Sequence, residues 1–330
     1  MRIDDDSWGI DDGVGSTALM VAAVRAAETD RATPMIRDPY ARMLVTDEGG
    51  DVFAGILDGS LADRIAATDP DAAALLSYMQ DYQAVRTRFF DTFCTEAAAA
   101  GIRQFVILAS GLDTRAYRLD WPAGTEVFEV DLPKVLTYKA SELAAHGVQP
   151  LATVREVAVD LRDDWPPALV EQGFDLAEPA AWLAEGILMY LPSGEQDELF
   201  ELITESSAVG SRVAAEFVPY SDDERRAQIK ERFTALADEL GVEPIVFGFV
   251  ADMEDLTYLD PDRTDPASWL EDNGWRSSAV PVTEEMRRCG IAGDESMRGR
   301  ADSFAYFVTG DCIQRPPARK APGSRDRKPA

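Results

Sequence analysis

"VILASGLDTRAYRL", residues Val106 to Leu119, decides the fold. Its first half is a short apolar run of the kind that a strand buried on both faces requires. The run stops at Ser110-Gly111, and Asp113, Thr114 and Arg115 follow where a phosphate-binding turn would carry more glycines. A pyrophosphate site needs G-x-G-x-x-G so that backbone can approach the ligand, and only Gly111 is available here. The phosphate loop G-x-x-x-x-G-K-[ST] is also missing from the chain.

Working outward, strand-like and helix-like segments alternate. "QFVILAS", "TEVFEVD", "ATVREVAVD", "AAWLAEGIL" and "SRVAAEFV" read as strands, with helical stretches at Pro133–His146, Trp165–Gln172 and Ser193–Ala208 between them. This alternation predicts a parallel sheet with helices on both faces. Two further strands are predicted late, in "WRSSAVPV" and "SFAYFVTGD". Upstream, "STALMVAAVRAAET" reads as a buried helix with a Ser cap at Ser16. "DPYARML" reads as a short helix with Pro39 in its first turn. Asp71 to Ala100 reads as a long helix closed by Gly101. Between Pro219 and Pro266 the alternation breaks: a charged helix precedes the apolar run "IVFGFV", which is expected to be a buried strand. The expected organisation is one domain over 1–313, with a helical part at 1–100, a cap insertion at 219–266 and a disordered basic tail at 314–330.

Composition excludes several functions. The chain has 330 residues, is 46 % hydrophobic and carries a formal charge of −28. Such a charge opposes nucleic-acid binding, whose affinity comes largely from Lys and Arg neutralising phosphates. The 3 cysteines have no metal or disulfide spacing, and no stretch approaches a membrane span. A cytoplasmic protein with no metal site is the expectation. The single histidine, His146, follows a helix near Gly147 and reads as a cap or surface residue. With no other histidine, and this one far in sequence from the strand-end acids, Ser-His or Cys-His catalysis is not expected.

Ligands of open α/β sheets sit beyond the carboxyl ends of the strands. Successive ends here carry Ser110-Gly111, Glu129-Val130-Asp131, Asp160-Leu161 and Glu185-Gly186. Asp131 lies about 20 residues after Gly111, the interval at which nucleotide-binding folds place an acid on ribose hydroxyls. An adenosine ligand without a phosphate cradle points to S-adenosylmethionine.

"LASGLDTRAYRL", "FEVDLP" and "AEGILMYL" resemble the leucine carboxyl methyltransferase-like family, in its bacterial branch of S-adenosyl-L-methionine-dependent methyltransferases. "GSTALMVAAVRAAET" and "DPYARML" are similar to that branch's N-terminal region, and the resemblance runs from Trp8 to Gly310. It implies a class I, Rossmann-like methyltransferase fold: seven strands, mostly parallel with the last antiparallel, N-terminal helices and an inserted cap. By position it implies Gly111 beside the methionine part, Asp131 on the ribose, Asp160 and Leu161 on the adenine, and Glu185 near the sulfonium. Arg86, in "YQAVRTRFF", resembles the cation for the methionine carboxylate, against the alternative of a helix-surface ion pair. Protein-methylating eukaryotic members carry a Lys on the N-terminal helix; here Arg25 is the only basic residue of that helix. The expected acceptor is a small, apolar molecule, with a carboxylate as the candidate group methylated; Tyr117, Tyr190 and Tyr220 are candidate hydroxyls around it, against the alternative of core aromatics. Alternatives are a non-catalytic S-adenosylmethionine-binding protein and a nicotinamide-dependent oxidoreductase, which the lone glycine opposes.

Overall fold

Seven strands form one sheet in the order β3-β2-β1-β4-β5-β7-β6. They are β1 (Gln104–Leu108), β2 (Glu126–Asp131), β3 (Thr153–Ala158), β4 (Ala180–Ala184), β5 (Arg212–Phe217), β6 (Trp275–Pro281) and β7 (Tyr306–Cys312). β1 to β5 pair in parallel, and β7 alone runs against its neighbours β5 and β6. The seven strands predicted from the sequence are these: the first six are trimmed by one to four residues in all, and the seventh starts three residues later than predicted and ends one later. The computed structural model describes residues 14–46, 50–219, 223–247, 257–258, 260–291 and 304–314.

β1 shows why an apolar run becomes a central parallel strand. Phe105 and Ile107 face one core layer, while Val106 and Leu108 face the other. Side chains alternate across a strand, so both faces of β1 are covered and no polar alternation is possible. β3 is one edge, and Thr153, Arg155 and Glu156 are exposed there; Arg155 pairs with Glu126 of β2 at 2.8 Å.

α1 (Val14–Thr29) is buried on most sides, as its small apolar residues predict, but it begins at Val14, so Ser16 lies inside the first turn rather than at the cap. α2 (Met43–Thr46), α3 (Gly50–Leu57) and α4 (Ser60–Thr68) follow. α5 (Pro70–Ala99) matches the long predicted helix. Asp69 caps it by accepting from Ala72 N at 3.1 Å, and Gly101 ends it with φ of +102°. Two readings need correction. Residues 39–42 form turns rather than a helix, because the Asp38 carboxylate accepts from Tyr40 N and Ala41 N and pins the chain there. In "IVFGFV" the described part is a 3₁₀ turn, Pro244–Phe247, whose Val246 and Phe247 pack into the core; Gly248 to Val250 lie outside the described residues. The basic tail beyond Gln314 also lies outside them.

α6 (Arg115–Arg118) and α7 (Pro133–Ala145) follow β1 and β2 directly. The chain leaves β1 towards β2 on one side, while β4 lies on the other. That reversal opens a crevice above the ends of β1 and β4, the place where such sheets take ligands.

Candidate functional site

The β1 end is built from unusual backbone. Ala109 and Gly111 adopt φ of +50° and +49°, a region that costs an alanine about 1 kcal/mol. The double reversal turns the Gly111 amide towards β2, where it donates to Asp131 Oδ2 at 2.6 Å. Leu132 N donates to the other oxygen at 2.7 Å. Burial raises the Asp131 carboxyl above its usual range, against these two amides, which pull it down. A carboxylate offers about four lone-pair sites, so two amides leave room for further donors. Ser110 Oγ is buried beside this turn with no hydrogen-bond partner among the described residues. A Cβ on Gly111 would stand 3.4 Å from Ala18 of α1, so the N-terminal helix closes over the turn.

Across the crevice, Glu185 follows β4 and lies between two guanidinium groups. Its Oε1 meets Arg86 Nε at 3.0 Å and its Oε2 meets Arg115 Nη1 at 2.8 Å. Arg86, on α5, also reaches Glu216 of β5, with Nη1 to Oε2 at 2.9 Å. The surface ion pair is thus excluded for Arg86, which is 7 % exposed. Arg115 answers what the stretch after Gly111 holds. Its amide and guanidinium both bind Asp113, its Nε meets Asp91 at 2.7 Å, and it sits over the Phe90 ring. Burial works against the charge of Arg115, but Asp113, Glu185 and Asp91 outweigh it and hold the guanidinium firmly protonated.

The network continues to the N-terminal helix. Arg118 binds Asp91 at 2.6 Å, Thr114 Oγ1 donates to Asp38 at 2.8 Å, and Arg25 of α1 meets Asp38 at 2.9 Å. Arg25 also donates to the Leu112 carbonyl at 2.7 Å. Burial raises the Asp38 carboxyl, yet Arg25 and Arg118 overcome that and hold it below its ordinary range. Arg25, the only basic residue of α1, is therefore committed to structure. Asp38, Asp91, Arg118 and Glu216 were missed from the sequence, since each belongs to an ordinary-looking segment and finds its partners only through the fold.

Asp160 stands beyond β3, the edge strand, and accepts from the Arg162 guanidinium at 2.6 Å and from its amide at 2.9 Å. Leu161 is half-buried against the second core layer. The structure thus brings Gly111 and Asp131 into direct contact, and Arg86 and Glu185 into another. Asp160 and Leu161 lie past the end of β3, which pairs with β2 up to Asp131↔Ala158. Tyr117 is buried in α6, Tyr190 lies in a 3₁₀ turn (Leu188–Tyr190), and Tyr220 falls outside the described residues. That turn is pinned to the segment around Tyr258 by Arg263, which donates to the carbonyls of Leu188 at 2.7 Å and Tyr258 at 3.0 Å. His146 is exposed at the C-terminal cap of α7, as expected. That places it about 20 Å from the end of the helix that leaves the site. A cavity of about 190 Å³ lies elsewhere, among α1, α3, α4 and α5, with no strand end in its lining. No cluster of metal-ligating residues occurs among those described.

A sequence model described as leucine carboxyl methyltransferase matches residues 18–204, more than half of the chain. Among solved structures, a methyltransferase-described protein from Thermobifida fusca is 18 % identical, with a TM-score of 0.48 over 90 % of this chain and 94 % of that one. A DUF574 family protein from Streptomyces avermitilis is 17 % identical, with a TM-score of 0.46 over 89 % of this chain and 96 % of that one.

Proposed function

From the premise that the chain belongs to the leucine carboxyl methyltransferase family, and so is an S-adenosylmethionine-dependent methyltransferase, we propose that it methylates a carboxylate of a small, apolar acceptor to give a methyl ester. The residues at the strand ends fit the cofactor. They offer a carboxylate with open lone pairs at Asp131, an unpartnered buried hydroxyl at Ser110 and a buried guanidinium at Arg86. A cradle at Gly186 completes them, since a Cβ there would stand 3.2 Å from Arg86 Nη1. When bound, the cofactor supplies an electrophilic methyl group for in-line displacement by an acceptor oxygen.

In this reading Asp131 takes the ribose hydroxyls, with Gly111 alongside. Asp160 accepts from the adenine amino group once Arg162 moves aside, and Leu161 packs on the ring. Arg86 takes the methionine carboxylate, and Glu185 stands near that end, oriented by two arginines. The protein contributes chiefly by holding acceptor and methyl donor in a near-attack arrangement and excluding water.

The observation that supports a carboxylate acceptor is that the acid at the β4 end and the lone histidine are both committed elsewhere. Glu185 has both oxygens on guanidinium groups, and His146 is exposed at the remote end of α7. An alcohol or amine must lose a proton during methylation and gains from a base beside it. A carboxylate is anionic already and needs only orientation. Proteins incubated with methyl-labelled cofactor and a panel of apolar carboxylic acids should yield a product that releases labelled methanol in mild alkali. Label that survives alkali would mean an ether or amine product.

A further inference from the structure

Glu216 is unexplained by fold or by function so far. It is the fifth residue of β5, and the pairing Ala184↔Ala215 makes it the next position in register with Glu185. Two carboxylates at adjoining strand ends repel one another, and Glu216 is 1 % exposed. A buried carboxylate costs several kcal/mol of desolvation unless its partners compensate, and an apolar residue would fill the same space without that cost. Its Oε1 has no hydrogen-bond partner among the described residues. Its Oε2 takes Arg86 Nη1 at 2.9 Å, and the backbone amide of Gly186 faces the carboxyl. Burial pushes the carboxyl up, against the Gly186 amide, while the Arg86 guanidinium 2.9 Å away favours its charged form.

Those two contacts share a purpose. Arg86 is gripped from two sides, at Nε by Glu185 and at Nη1 by Glu216, which fixes the plane of the guanidinium. Gly186, with φ of +67°, has no side chain to obstruct this arrangement; a Cβ would stand 3.2 Å from Arg86 and 3.6 Å from Glu216. Without Glu216, Arg86 keeps only its contact at Nε to Glu185, whose other oxygen is held by Arg115, and the plane of its fork is no longer fixed.

We propose that Glu216 is a positioning residue that holds Arg86 and the Gly186 turn in the orientation needed to receive the amino-acid end of the cofactor. This rests on the reading of Arg86 as the carboxylate-binding cation. A purely structural carboxylate would affect the whole cofactor equally, whereas a positioning one affects only its amino-acid end.

The test is calorimetry with two probes: S-adenosylhomocysteine, and 5′-methylthioadenosine, which lacks the amino-acid end. The proteins are the wild type, R86A, E216A, E216Q and R86A/E216A. E216A should bind S-adenosylhomocysteine about tenfold more weakly, while 5′-methylthioadenosine stays within about twofold of wild type. E216Q keeps an acceptor for Gly186 but no charge for Arg86, and should fall between; it carries the comparison if E216A does not fold. In the R86A background, loss of Glu216 should add nothing. Equal weakening for both probes, unchanged or tighter binding of S-adenosylhomocysteine, or an undiminished effect in R86A overturns the proposal. R86A separates the two readings. If R86A leaves the ratio of the two affinities unchanged, the assignment of Arg86 fails; if R86A shifts the ratio and E216A does not, only Glu216 fails.

Discussion

Asp131 shows how a residue's role differs from what its position suggests. Its spacing from Gly111 predicts a ribose acceptor, but the structure adds a second duty: it receives the Gly111 and Leu132 amides at the strand end. Removing the carboxylate therefore leaves two part-buried amides unpaired as well as losing contacts to ligand. Asp131→Ala is expected to weaken S-adenosylhomocysteine by about a hundredfold, from two charge-assisted hydrogen bonds of roughly 1.5 kcal/mol each. Asp131→Asn keeps one acceptor and should cost about tenfold. Calorimetric titration of both variants checks this, and binding by Asp131→Ala within about threefold of wild type would leave Asp131 with the amides alone. The candidate residues near strand ends were legible because strand ends are legible. Glu216 was not, since its partner Arg86 lies 130 positions away and no period or spacing connects them. Gly186 was the available sign, a glycine directly after a strand-end acid.

At the scale of elements, the buried parallel strands were the readable part, because continuous apolar runs bounded by turns have few other uses. Short segments were read less well. "DPYARML" has helix-forming residues, yet the Asp38 side chain captures the local amides and makes turns. "IVFGFV" is a short apolar run, for which periodicity does not separate strand from helical turn. Asp38 also ties α1 to α6, through Arg25, Thr114 and Arg118. Asp38→Asn should destabilise the protein at pH 7 by about 3 kcal/mol, by leaving buried guanidinium charge without its partner. The pH dependence follows from the direction of the shift. The folded-state carboxyl lies below its ordinary value of 3.8, so its contribution is complete above that value and is lost as pH falls towards the folded one. Urea denaturation should show the gap between wild type and Asp38→Asn narrowing as pH is lowered below about 4. A gap independent of pH would mean that Asp38 acts through shape rather than charge.

Over the whole molecule, one chain of ion pairs runs from the N-terminal helix to the far side of the crevice: Arg25, Asp38, Arg118, Asp91, Arg115, Glu185, Arg86 and Glu216. The helical residues before β1 are thus part of the site's construction. The stretch from Val106 to Leu119 joins both halves, with a strand that ends in the Gly111 turn and a helix whose Arg115 holds Glu185 on the opposite wall. Among the described residues no helix is long and apolar enough to cross a membrane.

The central claim is that the strand ends form an adenosine site built for a cofactor without a pyrophosphate. Titration of S-adenosylhomocysteine and of NAD into the wild-type protein tests it most directly. Saturable binding of S-adenosylhomocysteine is expected, with a raised melting temperature in its presence and neither effect with NAD at equal concentration. Binding of NAD with no response to S-adenosylhomocysteine would contradict it.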